Sequence, residues 1–151
     1  MTESKYIWMD GEFVAWNDAK VHVLSHTLHY GNGAIEGTKA YKTVDGRCAI
    51  FKLNEHTQRL LNSSKMTLMN VPFSLEELNK AQVELLQKNE LTNGAYIRPL
   101  VYLGYGVMGL YHKDAPVKVS ISAWEWGAYL GEEGLKKGVR VKISSFTRTP
   151  N

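Results

Sequence analysis

The sequence is short of the features that mark several protein classes. It holds 1 cysteine in 151 residues, Cys48, so no internal disulfide can form and a reducing compartment is expected. Proline is scarce, at 4 residues, and neither an internal repeat nor a low-complexity linker divides the chain. No run of one charge occurs: 18 Lys and Arg against 15 Asp and Glu leave +3, spread along the chain, which gives no indication of a nucleic-acid partner. The longest stretch without a formal charge, between Arg98 and Lys113, has 14 residues and is broken by Gly104, Gly106 and Gly109. It is too short to span a bilayer, so no membrane association is expected. Met1 to Asp10 lacks an apolar core behind a basic head, and the cytoplasm is the expected location.

What is present describes an ordinary globular chain. Apolar residues make up 44% and charged residues 22%, and the length suits about one domain with a real core. Tyr6–Met9 and Phe13–Trp16 flank Asp10-Gly11 and predict a hairpin, as do Lys39–Val44 and Arg47–Phe51 around Asp45-Gly46. Val21–Leu24 reads as a short strand or extended piece, and 26–33 has no clear assignment. A helix is expected over Glu55–Met69, with Leu60, Leu61, Met66, Leu68 and Met69 inward. A second, over 75–90, starts at the capping box Ser74-x-x-Glu77, with Leu75, Leu78, Ala81, Leu85 and Leu86 on one face. Strands are expected over Ala95–Leu103, Val117–Trp126 and Val139–Phe146. Helices between hairpins and strands predict an α+β domain with a mixed or antiparallel sheet and two packed helices.

Several residues invite a functional reading. Gly104 to Gly109 spells G-x-G-x-x-G after a strand, but Pro116 and the few residues before the next strand exclude the crossover helix that a dinucleotide site needs. The expectation is a loosely packed, mobile glycine loop. His22, His26 and His29 have no acid or thiol at ligand spacing, so no metal site is expected. Cys48, among apolar neighbours, reads as an inert thiol. Arg59 alone is an ordinary helix arginine. Arg98 interrupts an apolar strand, and its guanidinium must be paired, solvated or aimed at a carboxylate. Tyr30, Trp124, Trp126 and Tyr129 offer flat amphipathic surfaces suited to walling an apolar pocket.

Taken together, His29-Tyr30-Gly31, Glu36-Gly37, Gln58-Arg59-Leu60, Ala95-Tyr96-Ile97-Arg98-Pro99-Leu100, Gly106–Leu110 and Trp126-Gly127-Ala128-Tyr129-Leu130-Gly131 resemble the branched-chain amino acid aminotransferases. These are pyridoxal-phosphate enzymes of fold type IV. The resemblance runs the length of the chain and implies a role for each matched position. Arg59 corresponds to the arginine that grips the cofactor phosphate. Tyr96, Arg98 and Tyr129 correspond to residues that receive the glutamate side-chain carboxylate, while aromatic walls take leucine, isoleucine or valine. Tyr30 and Leu110 correspond to residues lent across a homodimer interface, and Trp126 and Gly37 to pocket and backbone contacts. Ile35 stands where the family often has phenylalanine, which leaves the pocket apolar but less aromatic.

The resemblance also implies a division of labour. The family's Schiff-base lysine lies on a second domain, after the interdomain connection, and Lys39, Lys42, Lys52 and Lys65 do not match its position. Residues 1–151 are therefore expected to be the small N-terminal domain, with no catalytic lysine of their own. The intact enzyme would exchange an amino group between a branched-chain amino acid and 2-oxoglutarate. Alternatives are another fold-type IV enzyme, a D-amino acid aminotransferase or an aminodeoxychorismate lyase, and a non-catalytic binding module complete at Asn151.

Overall fold

The computed structural model describes residues 2–127 and 131–147. The first two strands, β1 (Tyr6–Met9) and β2 (Glu12–Ala15), form the expected hairpin. Asp10 and Gly11 both take positive φ, 50° and 102°, the combination that lets a two-residue turn follow the twist of its strands. A five-residue helix, α1 (His26–Tyr30), precedes β3 (Gly33–Ile35), and β4 (Thr38–Lys42) turns through Gly46 into β5 (Cys48–Ile50). Helices α2 (Leu53–Met66) and α3 (Leu75–Lys88) follow, then the long strands β6 (Gly94–Leu103) and β7 (Val117–Trp124), and a last helix, α4 (Gly131–Lys137). Among the described residues the strands make one antiparallel sheet in the order β2-β1-β7-β6-β4-β5, with β3 also on β6.

One face of this sheet is sealed by α2 and α3. Alternation along β6 sends Ala95, Ile97, Val101 and Leu103 inward against Leu60, Leu78 and Leu85, which are essentially buried. Truncating such a leucine to alanine costs about 2–5 kcal/mol. The capping box of α3 forms as expected: Glu77 N–H donates to Ser74 Oγ at 3.2 Å, and Ser74 N–H donates to the Glu77 carboxylate at 2.7 Å. At the other end of α3, the buried Asn89 side chain accepts from the N–H groups of Lys5 and Tyr6 and donates to Tyr6 O, which ties β1 to the helix.

The opposite face of the sheet carries Tyr96, Arg98, Leu100 and Tyr102. Its key irregularity follows from one residue. Ile35 opposes Leu100 and Thr38 opposes Ile97, so β3 and β4 keep one register, with Glu36 and Gly37 across from Pro99 and Arg98. Glu36 N–H donates to Pro99 O at 3.0 Å, but proline has no N–H to return. The ladder is cut there, between two otherwise regular strands.

Two expectations are corrected. Residues 139–146 form no strand, and Val141 and Ile143 are exposed. Apolar alternation specifies a strand only where a neighbour takes its ladder, and none does so among the described residues. Met66 and Leu68 are exposed rather than inward, because α2 ends at Met66 and Leu68 adopts φ 59°. That turn leaves Met69 alone to re-enter the core. Residues 21–24, read as a short strand or extended piece, have no strand pairing and end in a turn at 23–24.

Candidate functional site

The cut in the ladder is where chemistry gathers. Ala34, Glu36, Thr38 and Ala40 alternate toward the helices and are all buried, so Glu36 carries a carboxylate to the helix side of the sheet. Such a group needs partners, and α2 provides them. Arg59 Nε–H and Nη2–H donate to its two oxygens at 2.5 and 2.8 Å, and His56 Nδ1–H donates at 2.8 Å. Burial pushes the Glu36 carboxyl up, but the hydrogen bonds from Arg59 and His56 outweigh it and hold the group below its ordinary range. In return, the hydrogen bond to Glu36 raises the Arg59 guanidinium further. Glu36 is 6% exposed and the Arg59 side chain 65%, so Arg59 is anchored from below and open above. The Nη1 donors are not used in the contact with Glu36, which leaves them for an approaching anion.

On the open face of the sheet, Tyr96 sits directly over Gly37. A Cβ at Gly37 would collide with the Tyr96 hydroxyl and lie 3.1 and 3.2 Å from two of its ring carbons. Glycine here is what lets the phenol lie across the broken ladder. The ring packs edge-on against Trp126, with centroids 4.8 Å apart, and against Trp124 at 5.2 Å. Arg98 lies over the same ring at 5.1 Å, and its Nε and Nη2 donate to the Tyr96 hydroxyl at 3.1 and 2.8 Å. Among the described residues no carboxylate pairs with Arg98. A cavity of about 370 Å³ joins the two groups, reaching from His56 past Gly37 and Phe51 to Tyr96 and Trp126.

The structure thus brings Gly37, Tyr96, Arg98 and Trp126 together, with Arg59 beside them through His56. It does not bring Tyr30 and Leu110 to this cavity. They lie at the far end of β6, where Tyr30 accepts the N–H of Gly109. From Tyr96 to Leu103 the strand runs about 23 Å. Ile35, opposite Leu100, lies between the two ends and is exposed. Tyr129 lies outside the described residues.

The glycine loop leaves Tyr105, Met108, Leu110 and Tyr111 exposed, yet it has specific attachments. Gly104 N–H donates to Pro116 O, His22 stacks on Tyr105 at 4.1 Å, and His26 reaches Gly109. The loop is fastened, because ring side chains from residues 22–30 supply the contacts its glycines cannot. No helix follows it before β7. Each of the three histidines uses a ring nitrogen on protein: His22 accepts from Leu24 N–H, His26 bonds Gly109 O, and His29 bonds Val23 O. Cys48 is half-buried. A second, apolar recess of about 180 Å³ lies along Ile7, Met9, Leu28, Leu100 and Tyr102. Burial and the nearby Asp10 push the Tyr102 phenol up, which leaves nothing there for acid–base work near neutrality.

Sequence reasoning assigned no role to Glu36 or His56. The signal was available in part: an acid at the second of four alternate positions, Ala34, Glu36, Thr38 and Ala40, points into a core and requires a cation. Reading it needed the strand assignment, which the short interrupted pieces concealed.

The geometry agrees with a family match. Residues 33–151 fit the model for "Amino-transferase class IV", and the chain belongs to the class IV aminotransferases. It is 51% identical over 142 residues to a branched-chain-amino-acid aminotransferase of Pseudomonas aeruginosa, covering 94% of this chain and 46% of that protein. The branched-chain-amino-acid aminotransferase of Escherichia coli K12 is 45% identical, over 100% of this chain and 50% of that one. The crystal structure of an Escherichia coli branched-chain amino acid aminotransferase superposes with TM-score 0.91 at 44% identity, over 99% of this chain and 49% of its own. The branched-chain aminotransferase of the thermophilic archaeon Thermoproteus uzoniensis, solved with norvaline, gives TM-score 0.80 at 38% identity, over 85% and 43%. The chain spans about half the length of the curated relatives it matches. Among the described residues no helix is long and apolar enough to cross a membrane.

Proposed function

We propose that residues 1–151 form the small N-terminal domain of a pyridoxal-phosphate-dependent branched-chain aminotransferase that exchanges an amino group between leucine, isoleucine or valine and 2-oxoglutarate. The observation that carries the reading is an aromatic cavity lined by His56 and Tyr96, each of which is hydrogen-bonded to an arginine just behind it. Arg59 is anchored through Glu36, and Arg98 is braced on Tyr96. One guanidinium suits a phosphate and the other a carboxylate, while Tyr96, Trp126 and Phe51 wall an apolar space between.

The donor set fits the cofactor. Arg59, oriented by Glu36 and His56, would hold the phosphate through its outward N–H groups, and bound pyridoxal phosphate supplies an electron sink at the substrate α-carbon. Arg98 and the Tyr96 hydroxyl would orient the glutamate side-chain carboxylate, and the same cavity without that contact would take a branched aliphatic chain. Tyr129 would serve on the substrate side as well. Tyr30 and Leu110, which cannot reach this cavity within one protomer, would act on the pocket of a second protomer in a homodimer. Ile35 would line the apolar wall. The lysine that carries the cofactor would lie outside residues 1–151, and the enzyme would work in the cytoplasm without nucleic-acid or membrane partners.

The test is an assay of the full-length polypeptide containing this chain, with leucine or D-alanine as donor and 2-oxoglutarate as acceptor. Leucine-dependent glutamate formation supports the reading, and turnover of D-alanine without leucine overturns it. Borohydride reduction of residues 1–151 mixed with pyridoxal phosphate, followed by peptide mapping, should show no stoichiometric adduct on Lys39, Lys42, Lys52 or Lys65.

A further inference from the structure

His26 fastens both ends of the glycine loop that follows β6. Its backbone N–H donates to Gly104 O at 3.1 Å, and its ring Nε2–H donates to Gly109 O at 2.8 Å. The ring is 1% exposed and lies against Tyr30, centroids 4.4 Å apart. The Tyr30 hydroxyl in turn accepts the Gly109 N–H at 3.0 Å. The two rings stand one helical turn apart on α1 and so share a face. Between them they engage both the N–H and the C=O of Gly109.

That grip has a directional consequence. Gly109 has φ 106°, a conformation that side-chain-bearing residues rarely adopt, so the bend at this position depends on glycine. The next residue, Leu110, is 87% exposed. A large apolar side chain therefore projects into solvent from a peptide held on both sides. Free loops do not need this much fastening. Asn32, bonded to the His112 ring at 3.3 Å, extends the same attachment past Leu110.

We propose that His26 is a positioning residue: by joining Gly104 to Gly109 it sets the direction of Leu110, and through Leu110 the size of substrate side chain that the aminotransferase pocket accepts. The pocket half of this inference rests on the proposed function. The loop half does not. His26 Nδ1 is buried without a partner, so the ring serves the loop through Nε2 alone, and any side chain delivering an N–H to that point should replace it. Glutamine has the reach; asparagine and leucine do not.

The experiment compares His26→Leu, His26→Asn and His26→Gln in the full chain. Amide hydrogen exchange reads the loop directly. Exchange across 104–112 should quicken about tenfold in His26→Leu and His26→Asn, with His26→Gln close to the parent. Kinetics read the pocket: kcat/KM for leucine relative to alanine should fall about tenfold in His26→Leu, the scale on which apolar pockets discriminate methylenes. It should recover in His26→Gln, a rescue that a space-filling role would not produce. Unchanged exchange in both His26→Leu and His26→Asn overturns the proposal. Faster exchange with an unchanged leucine-to-alanine ratio overturns its pocket half and leaves the proposed function standing. A parent enzyme inactive on leucine overturns the proposed function and the pocket half together, while the exchange data still decide the loop half. If His26→Leu does not fold, the contrast between His26→Asn and His26→Gln decides both halves in the same way.

Discussion

Arg59 gives its Nε–H and an Nη2–H to the two oxygens of Glu36 at 2.5 and 2.8 Å, although Glu36 is nearly sealed from water and Arg59 lies largely open to it. The buried carboxylate acts as a fixed socket for an exposed cation. The guanidinium does not lose further rotamer freedom when an anion arrives, because Glu36 has already oriented it.

Replacing Arg59 by lysine keeps the charge and removes the fork. A point charge cannot hold both Glu36 oxygens and a phosphate at once. The affinity of the full-length protein for pyridoxal phosphate, followed by its absorbance or fluorescence, should fall by about 10–100-fold, the value of one or two charge-assisted hydrogen bonds.

Glu36→Gln tests the socket through pH. The folded state holds the Glu36 carboxyl below its ordinary value of 4.5, so ionised Glu36 favours folding. That stabilisation is full above the ordinary value and is lost as pH falls through the lower, folded one. Thermal melts between about pH 6 and 3 should show the parent losing stability on acidification more steeply than Glu36→Gln. Near neutrality the variant should be less stable by about 1–2 kcal/mol, a figure discounted because Arg59 is solvated.

Gly37→Ala places a methyl group where the Tyr96 ring lies. The ring must move, and with it the support of Arg98. Overpacking of this kind costs about 1–3 kcal/mol, read as a lowered Tm. In a Tyr96→Ala background the same substitution should cost little further, since the collision then has no second partner.

Arg98→Gln separates the two substrates. If the guanidinium orients the glutamate side-chain carboxylate, KM for 2-oxoglutarate should rise about 10–100-fold, while KM for leucine, with no charge to pair, moves far less. Equal rises for both would place Arg98 elsewhere in the reaction.

Asn89→Ala removes three bonds between α3 and the backbone of Lys5 and Tyr6. Two N–H groups lose their acceptor in a partly buried place, which predicts a loss of about 2–3 kcal/mol in denaturant melts and no change in substrate KM, since none of the three residues lines the cavity.

The parts of this fold that local chemistry decides were legible in the chain. Asp10-Gly11 and Asp45-Gly46 bend as their φ preferences require, the Ser74–Glu77 box starts α3, and the apolar stripe from Leu78 to Leu86 faces the core. The residues around the cavity were legible as a resemblance, because Tyr96, Arg98, Trp126 and Arg59 sit in recognisable short motifs. What long-range contact decides was not. Residues 139–146 alternate like a strand yet pair with nothing described, since a ladder belongs to two strands and the pattern describes one. The glycine loop reads as slack, but rings from residues 22–30, some eighty positions away in sequence, hold it. Most of all, Glu36 gains its role from Pro99 and Arg59. The proline cuts the ladder opposite it and the helix brings a guanidinium to it, so an acid that carries no signal in its own neighbourhood becomes the anchor of the site. Sequence alone determined which groups were available and how the chain turns between them. Tertiary structure decided which charges are buried, and burial converts a lone carboxylate into a group that must hold its partner.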